Sequence, residues 1–492
     1  MSDSTTIRRP QNVIVLCPDE LRGDCLGIAG NPDIKTPQMD ALMESGVRFS
    51  SHFTPFPKCV PARVAMMTGR YCHTDGYRTI TQHMPPGQPD VVKTLKANGY
   101  EVAVFGKNHC WELDDWGTLL DYWSWKPGPY REIHQKWKAG REAYPDSERA
   151  KAPIMEDGYD YVGCYPAHLD DAYVEQAIRF LSEDRDRSRP FFLQVNIEAP
   201  HPKYGVVEPY FSRYDRNQIA AFPHQLPDGA TLPFTAQREV RTGKDFRPDW
   251  LVEVQATYYG MVAKVDDQIG RIMEAVDTFT DPAETIVVLL SDHGDFAGQY
   301  GLVEKWDTVF SDCLMRVPFA IRAPGLPAGR EYAGLSDHTD LAPTLCELLE
   351  MPPLPGMHGS SLAAMVRGEV AREAVFADGG HEDAMLTEFA GATGQRWCEP
   401  GDNGRRKAKQ ETYHQFPDSM MRSRMVRTER YKLVVRLRGD GELYDLAADP
   451  WELQNRWHDA TLREVRADLM ERLLRWNLAT DTDRPHQLNF GA

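Results

Sequence analysis

The sequence predicts an α/β protein: a large, mostly parallel sheet sandwiched by helices, followed by a small C-terminal α+β subdomain of antiparallel sheet plus helix. Two observations lead there. From residue 12 to about 345, short β-branched runs alternate with stretches of helical periodicity. After about residue 370 the runs shorten and follow one another across polar turns, as strands of an antiparallel sheet do. At 492 residues the chain is long enough for a large catalytic domain over 1–370 and a subdomain over 371–492.

The strand runs are Asn12–Cys17, Glu101–Phe105, Phe191–Ile197 and Thr285–Leu290. Each reads as continuously apolar rather than alternating, as strands buried on both faces should. Between them, the stretch Asp90 to Asn98 opens on an acidic cap and closes at Gly99, and Leu169–Leu181 and Leu251–Val276 carry helical periodicity. In the C-terminal part, Met425–Arg427 and Tyr431–Arg436 flank the turn Thr428-Glu429-Arg430, with Glu442–Leu446 as a further short strand. The last helix, Thr461–Trp476, sets Leu462, Val465, Leu469, Leu473 and Trp476 on one stripe, which should dock on the small sheet. Segments around 110–165, 202–248 and 380–420 show no periodicity and read as long loops that shape a site.

Composition excludes several classes. Fifty-six Lys+Arg against 73 Asp+Glu leave a net charge of −17, unsuited to coating a polyanion, so no nucleic-acid partner is expected. No apolar run reaches the roughly 18–20 residues of a membrane span, and the amino terminus lacks the apolar region of a secretory signal, so a cytoplasmic protein with no membrane partner is expected. Nine scattered cysteines without a CxxC pair signal neither a disulfide framework nor a cysteine-rich zinc site.

Ligands of open α/β sheets bind beyond the carboxyl ends of the strands. After the first run come Asp19 and Glu20; after the second, Gly106-Lys107-Asn108-His109; after the third, His201-Pro202; after the fourth, Ser291-Asp292-His293-Gly294-Asp295. Singly, an Asp at a strand end is most often a cap or turn residue. Together, Asp19, Glu20, Asp292 and His293 offer three carboxylates and an imidazole, a set suited to Ca²⁺, Mg²⁺ or Mn²⁺. Asp295 reads as a turn residue or one behind the ligands, and Asp24 as a cap or a partner of Arg22.

One further motif stands out. In Cys59-Val60-Pro61-Ala62-Arg63, Pro61 suits the first turn of a helix and Gly69 its end, which places Cys59 at the helix start, where the dipole and free N–H groups favour a thiolate or an oxyanion. Average usage gives 9 × (35/492) × (56/492), about 0.07 expected Cys-x-Pro-x-basic pentapeptides in a chain of this composition.

With these residues in place, the chain resembles the sulfatase family, within the alkaline-phosphatase-like superfamily. The pentapeptide at Cys59 is similar to the motif whose cysteine is oxidised to Cα-formylglycine (3-oxoalanine). Lys107 and His109 look like the family's substrate lysine and histidine, His201 like its acid, Asp292 and His293 like its metal motif, and Lys305, ending Gly301-Leu302-Val303-Glu304-Lys305, like its second substrate lysine. Leu443-Tyr444-Asp445-Leu446 and Asp449-Pro450-Trp451-Glu452 resemble the C-terminal signature.

The resemblance implies hydrolysis of sulfate esters through a hydrated formylglycine, with Arg63 holding the diol. It implies one divalent metal, Ca²⁺ by family default, on Asp19, Glu20, residue 59, Asp292 and His293, and a transient formylglycine-generating enzyme as partner. Two departures bear on this. Glu20 stands where many sulfatases have Asp, which leaves open a ligand set without it, and His293 stands where Asn is common, which favours Mn²⁺. Relatives with such a set hydrolyse phosphonate monoesters or choline sulfate, and phosphonate monoester or phosphodiester hydrolysis is the alternative activity; the pair Lys107 and His109 favours sulfate. A non-catalytic metal- or glycan-binding protein is the alternative from another class, and no member of the motif set is missing to support it. The acidic surface predicts a small sulfate ester as substrate, and assembly into a homo-oligomer is left open.

Overall fold

The computed structural model describes residues 11–112, 116–142, 152–153, 160–164, 169–241, 248–381, 412–413 and 415–481. Its centre is an eight-stranded sheet. From one edge to the other the strands are Arg330–Tyr332, Val47–Phe49, Phe319–Arg322, Thr285–Leu290, Asn12–Asp19, Phe191–Pro200, Glu101–Gly106 and Tyr122–Trp123. Only Phe319–Arg322 runs against its neighbours; the other pairings are parallel. The four predicted strands are the four adjacent central ones, which is why they carried the strongest apolar signal.

Alternation along the first strand shows why the run is continuously apolar. Ile14 and Leu16 enter one core, Val13, Val15 and Cys17 the other, and all five are fully buried. The first core is closed by the 32-residue helix Pro248–Phe279, which contributes Val254, Tyr258, Val262, Val265, Ile269 and Ile272. The second is closed by Cys59–Thr68, Val91–Ala97, Leu341–Leu348 and Leu362–Arg367. Asp90 caps its helix as the sequence suggests, its side chain accepting from Lys93 N at 2.9 Å.

The C-terminal unit is a four-stranded antiparallel sheet, Val375–Gly379, Ser423–Arg427, Tyr431–Arg436 and Glu442–Asp445, in sequential order. Helix Arg463–Thr480 packs Leu469, Leu473 and Trp476 onto Val426, Leu433 and Leu443, with Leu462 and Val465 at the margin, so the predicted stripe docks as expected.

Three expectations are corrected. The 202–248 segment contains the strand Tyr204–Val206 and the helix Leu232–Val240, because Pro233 sits in the first helical turn, where a missing N–H is harmless. The 110–165 segment contains the helix Pro129–Glu142. The helix over 169–181 is α-helical only through Arg179 and finishes in a π-helical turn, Phe180–Asp184. Most of the 380–420 segment lies outside the described residues, as does Cys398; the other eight cysteines are in no disulfide. Among the described residues, no helix is long and apolar enough to cross a membrane.

Candidate active site

The site begins with the helix Cys59–Thr68. Lys58 precedes it in an extended conformation (φ −156°, ψ 138°) with no side-chain cap, so the first N–H groups of the helix open toward the sheet's carboxyl edge. Lys58 itself turns away to an ion pair with buried Asp307. Gly69 ends the helix at φ 69°, a left-handed position, where a Cβ would meet Met357. Every residue of this helix is buried, and Cys59 is 2% exposed.

Around Cys59 the strand ends converge. Its Sγ lies 3.2 Å from His293 Nε2, 3.5 Å from Asp19 Oδ1 and 4.0 Å from Lys107 Nζ. Asp19, Glu20, Cys59 and His293, all buried, offer ligand atoms within 4.8 Å of one another. Asp292 stands beside this group rather than in it, its Oδ2 3.9 Å from His293 Nε2. Its carboxylate is held by Arg63 Nε at 2.9 Å and accepts from the backbone N–H groups of Glu20 and His293. His293 Nδ1 donates to Gly294 O at 2.9 Å, which leaves Nε2 facing the site.

Arg63 also donates to Asn196 Oδ1 at 2.8 Å and stands 3.6 Å from Asp19 Oδ2. Its Nη2 and the Oε2 of Glu20 are buried without a hydrogen-bond partner. Carboxylate, imidazole and sulfur donors in one dry pocket, with an orphaned carboxylate oxygen among them, fit a divalent cation.

Two lysines flank the group. Lys107 Nζ lies 2.6 Å from Asp19 Oδ2, and Lys305 Nζ pairs with Glu20. Burial alone would raise the Asp19 carboxyl, but Lys107, His201 and Arg63 outweigh it and hold Asp19 well below the usual carboxylate range. For Glu20 burial prevails, and its pKa is pushed well above the ordinary value despite Lys305. Burial opposes a charge on His293, yet Asp292 and Cys59 push it up to about 10. It likewise opposes charge on Lys305, where Cys59, Glu20 and Glu304 prevail and hold the ammonium well above its ordinary value.

His201 Nε2 is 3.2 Å from Glu20 Oε1. His109 sits beside Lys107, its Nδ1 buried without a hydrogen-bond partner and its ring 6.2 Å from that of His83; burial, then Lys107 and Arg63, hold its pKa well below the usual imidazole value. Asp24 pairs with Arg22 as expected, and Asp295 lies behind the ligands, accepting from Tyr204 Oη at 2.6 Å.

A sequence profile of the sulfatase family matches residues 11–351, and one described as N-sulphoglucosamine sulphohydrolase, C-terminal, matches 391–478. The chain belongs to the sulfatase family. As a sulfatase it hydrolyses sulfate esters. It is similar to an ulvan-active sulfatase of Formosa agariphila, 25% identical over 90% of this chain and 76% of the relative. It is also similar to an N-acetylglucosamine-6-O-sulfatase of Bacteroides thetaiotaomicron, 24% identical over 95% of this chain and 86% of the relative. Among solved structures, a phosphonate monoester hydrolase of Agrobacterium radiobacter superposes with a TM-score of 0.75 at 26% identity, covering 96% of each chain. A protein solved with its substrate D-glucosamine-2-N,6-O-disulfate superposes at 0.70 and 20% identity, covering 96% of this chain and 98% of that one, a likeness of fold alone.

The sulfatase site also contains residues that the strand-end reading passed over. Asn196 braces Arg63, and Gln194 in turn donates to Asn196 at 2.9 Å. Glu304, at φ 63°, pairs with buried Arg241 and stands 3.9 Å from Lys305 Nζ. The signal for the first pair was present, since Gln194 and Asn196 are the polar residues inside an otherwise apolar run.

Proposed function

We propose that this sulfatase cleaves small sulfate esters, with residue 59 as nucleophile after conversion of Cys59 to Cα-formylglycine. The observation that carries this reading is the buried Cys59 at a helix start, with Asp19, Glu20 and His293 on one side and Lys107 and Lys305 beside them. Cys59 is too buried for an enzyme to reach in the folded chain, so a formylglycine-generating enzyme would act before folding is complete. Hydrated, the aldehyde is a gem-diol. One diol oxygen, its proton released to solvent, attacks sulfur as the bond from sulfur to the alcohol oxygen breaks; the other then loses its proton, the carbon–oxygen bond to sulfate breaks and the aldehyde returns, with no net oxidation.

Asp19, Glu20, His293 and residue 59, with Asp292 turned in from beside them, would hold a single cation, Ca²⁺ by family default, with Mn²⁺ favoured by the imidazole and Mg²⁺ as a further choice. Such a cation supplies Lewis acidity toward the attacking hydroxyl. Lys107 and Lys305 neutralise the sulfuryl oxygens as compact point charges. His201 gives its proton to the leaving oxygen. His109, kept neutral by burial and by Lys107 and Arg63, takes the proton of the second hydroxyl. Arg63 fixes Asp292 and orients the diol from the helix side. The net charge of −17 weakens attraction of distant polyanions and supports a small ester. Eight cysteines outside any disulfide among the described residues support a cytoplasmic location.

Mass spectrometry of the peptide containing residue 59 tests the nucleophile. Chain made in a host with the modifying enzyme should show the lighter aldehyde, and Cys59→Ala should abolish turnover of an aryl sulfate. A wholly unmodified cysteine in active enzyme would overturn the reading. The likeness to a phosphonate monoester hydrolase and the imidazole at 293 favour a second reading, phosphonate monoester hydrolysis. Comparison of kcat/KM for an aryl sulfate and an aryl phosphonate decides between the two, and sulfate is expected to lead.

A further inference from the structure

Beyond the site lies a buried line of imidazoles that ends on it. Strand Thr285–Leu290 stops before Asp292, so the Asp292 carbonyl has no partner in the sheet ladder. His338 Nε2 meets that carbonyl at 2.9 Å. Behind it, His338 Nδ1 is 3.1 Å from His52 Nε2, and His52 Nδ1 is 2.9 Å from Ser336 Oγ. Ser336, His52, His338 and Asp292 are all fully buried.

Chemistry gives this line a direction. A carbonyl oxygen only accepts, so His338 Nε2 must carry the hydrogen. In a neutral ring Nδ1 then accepts, His52 Nε2–H is the donor to it, and the Ser336 hydroxyl donates to His52 Nδ1. Each bond fixes the tautomer of the next ring. The base of the line is rigid. Ser336 pairs with His52 in a short parallel ladder, the His52 ring packs tilted at 4.2 Å against Phe319, and the turn His338–Asp340 is closed by a capping box between Asp337 and Asp340. Arg372 bridges both of those carboxylates, and Tyr71 Oη donates to Asp337 at 3.0 Å.

We propose that His338, oriented by His52 and Ser336, is a positioning residue that holds the Asp292–His293 turn in the geometry needed to bind the cation. The inference rests on the metal reading above and extends it to residues that touch no substrate. Partners of this kind behind metal ligands commonly matter about 10- to 100-fold in affinity.

Two conservative variants separate positioning from packing. His338→Gln keeps an N–H at nearly the reach of Nε2, whereas His338→Asn has the same amide one methylene short. With the full chain and Mn²⁺ or Ca²⁺ alone in calorimetry, Gln should bind within about threefold of the parent and Asn about 10- to 100-fold more weakly. Asn binding as tightly as the parent, or Gln losing as much as Asn, would overturn the proposal. An independent readout needs no metal. Imidazole ¹⁵N signals of the parent should show both His338 and His52 protonated at Nε2 and bare at Nδ1, and a His338 protonated only at Nδ1 would overturn it. A parent that binds neither ion would sink the metal reading, while the nitrogen signals would still decide whether the line has the stated direction.

Discussion

Arg63 uses all three nitrogens of its guanidinium within the site: Nε on Asp292, Nη1 on Asn196 and Nη2 toward Asp19. Lysine carries the same charge but cannot hold two acceptors and face a third carboxylate from one plane. Arg63→Lys is therefore expected to lower kcat/KM for an aryl sulfate by about 10- to 100-fold with little change in the far-ultraviolet circular dichroism, because the loss falls on the placing of the carboxylates. An unaltered kcat/KM would show that Asp292 is oriented well enough by the backbone alone. At this scale the residues directly after the central strands were legible, since strand order and the carboxyl-edge rule bring Asp19, Lys107, Asp292 and His293 to one rim. Partners meeting across long separations were not. Asn196 reaches Arg63 across 133 positions and His338 reaches Asp292 across 46, and no local pattern encodes such contacts.

The strand Glu101–Gly106 ends on a glycine because nothing else fits there. Gly106 has φ 91°, and a Cβ on it would lie 1.9 Å from the carbonyl oxygen of Asn196, the neighbouring strand's contribution to Arg63. Gly76 offers a control: its φ is 82°, but nothing lies within 4 Å of its would-be Cβ. Gly76→Ala should cost about 1 kcal/mol of backbone strain, and Gly106→Ala about 1–3 kcal/mol more, because the strands must part. Calorimetric unfolding of the two variants checks this, and equal losses would show that the two strands shift freely. Elements with a continuous apolar run or a clean helical stripe were legible in the sequence. The strand Val375–Gly379, which completes the small sheet, was not, because its apolar run of Val375, Phe376 and Ala377 breaks off at Asp378 and Gly379, a pair that reads as a turn. The helix Leu232–Val240 was hidden by a proline that reads as a breaker until its place in the first turn is known.

Across the whole molecule, the C-terminal unit is tied to the catalytic part by buried polar joints. Lys432, fully buried, pairs with Asp312 and Glu452, and so links the small sheet to the helix that follows the Lys305 segment. At the other end of the interface, His73 Nε2 meets Thr480 Oγ1 at 2.7 Å, its ring packs edge-on against Trp476 at 4.7 Å, and Thr74 Oγ1 donates to Thr480 O. Burial, then Arg424 and Arg78, push the pKa of His73 down to about 2 from an ordinary 6.5. The folded chain thus keeps His73 neutral while the unfolded chain binds a proton below about pH 6.5. This joint contributes its full stability above that value and loses it as pH falls toward about 2. Between about pH 7.5 and 5 the loss should be about 2 kcal/mol. Asp340 and Glu452, both pushed up to about 7 chiefly by burial, act with the opposite sign, so the parent's total pH dependence cannot isolate the joint. His73→Asn can, because asparagine keeps a polar contact to Thr480 but does not titrate. The parent should lose about 2 kcal/mol more than this variant over the same interval, read as the difference between their unfolding free energies. Parallel losses in the two proteins would mean that His73 is protonated in the folded state and that the C-terminal helix tolerates the charge.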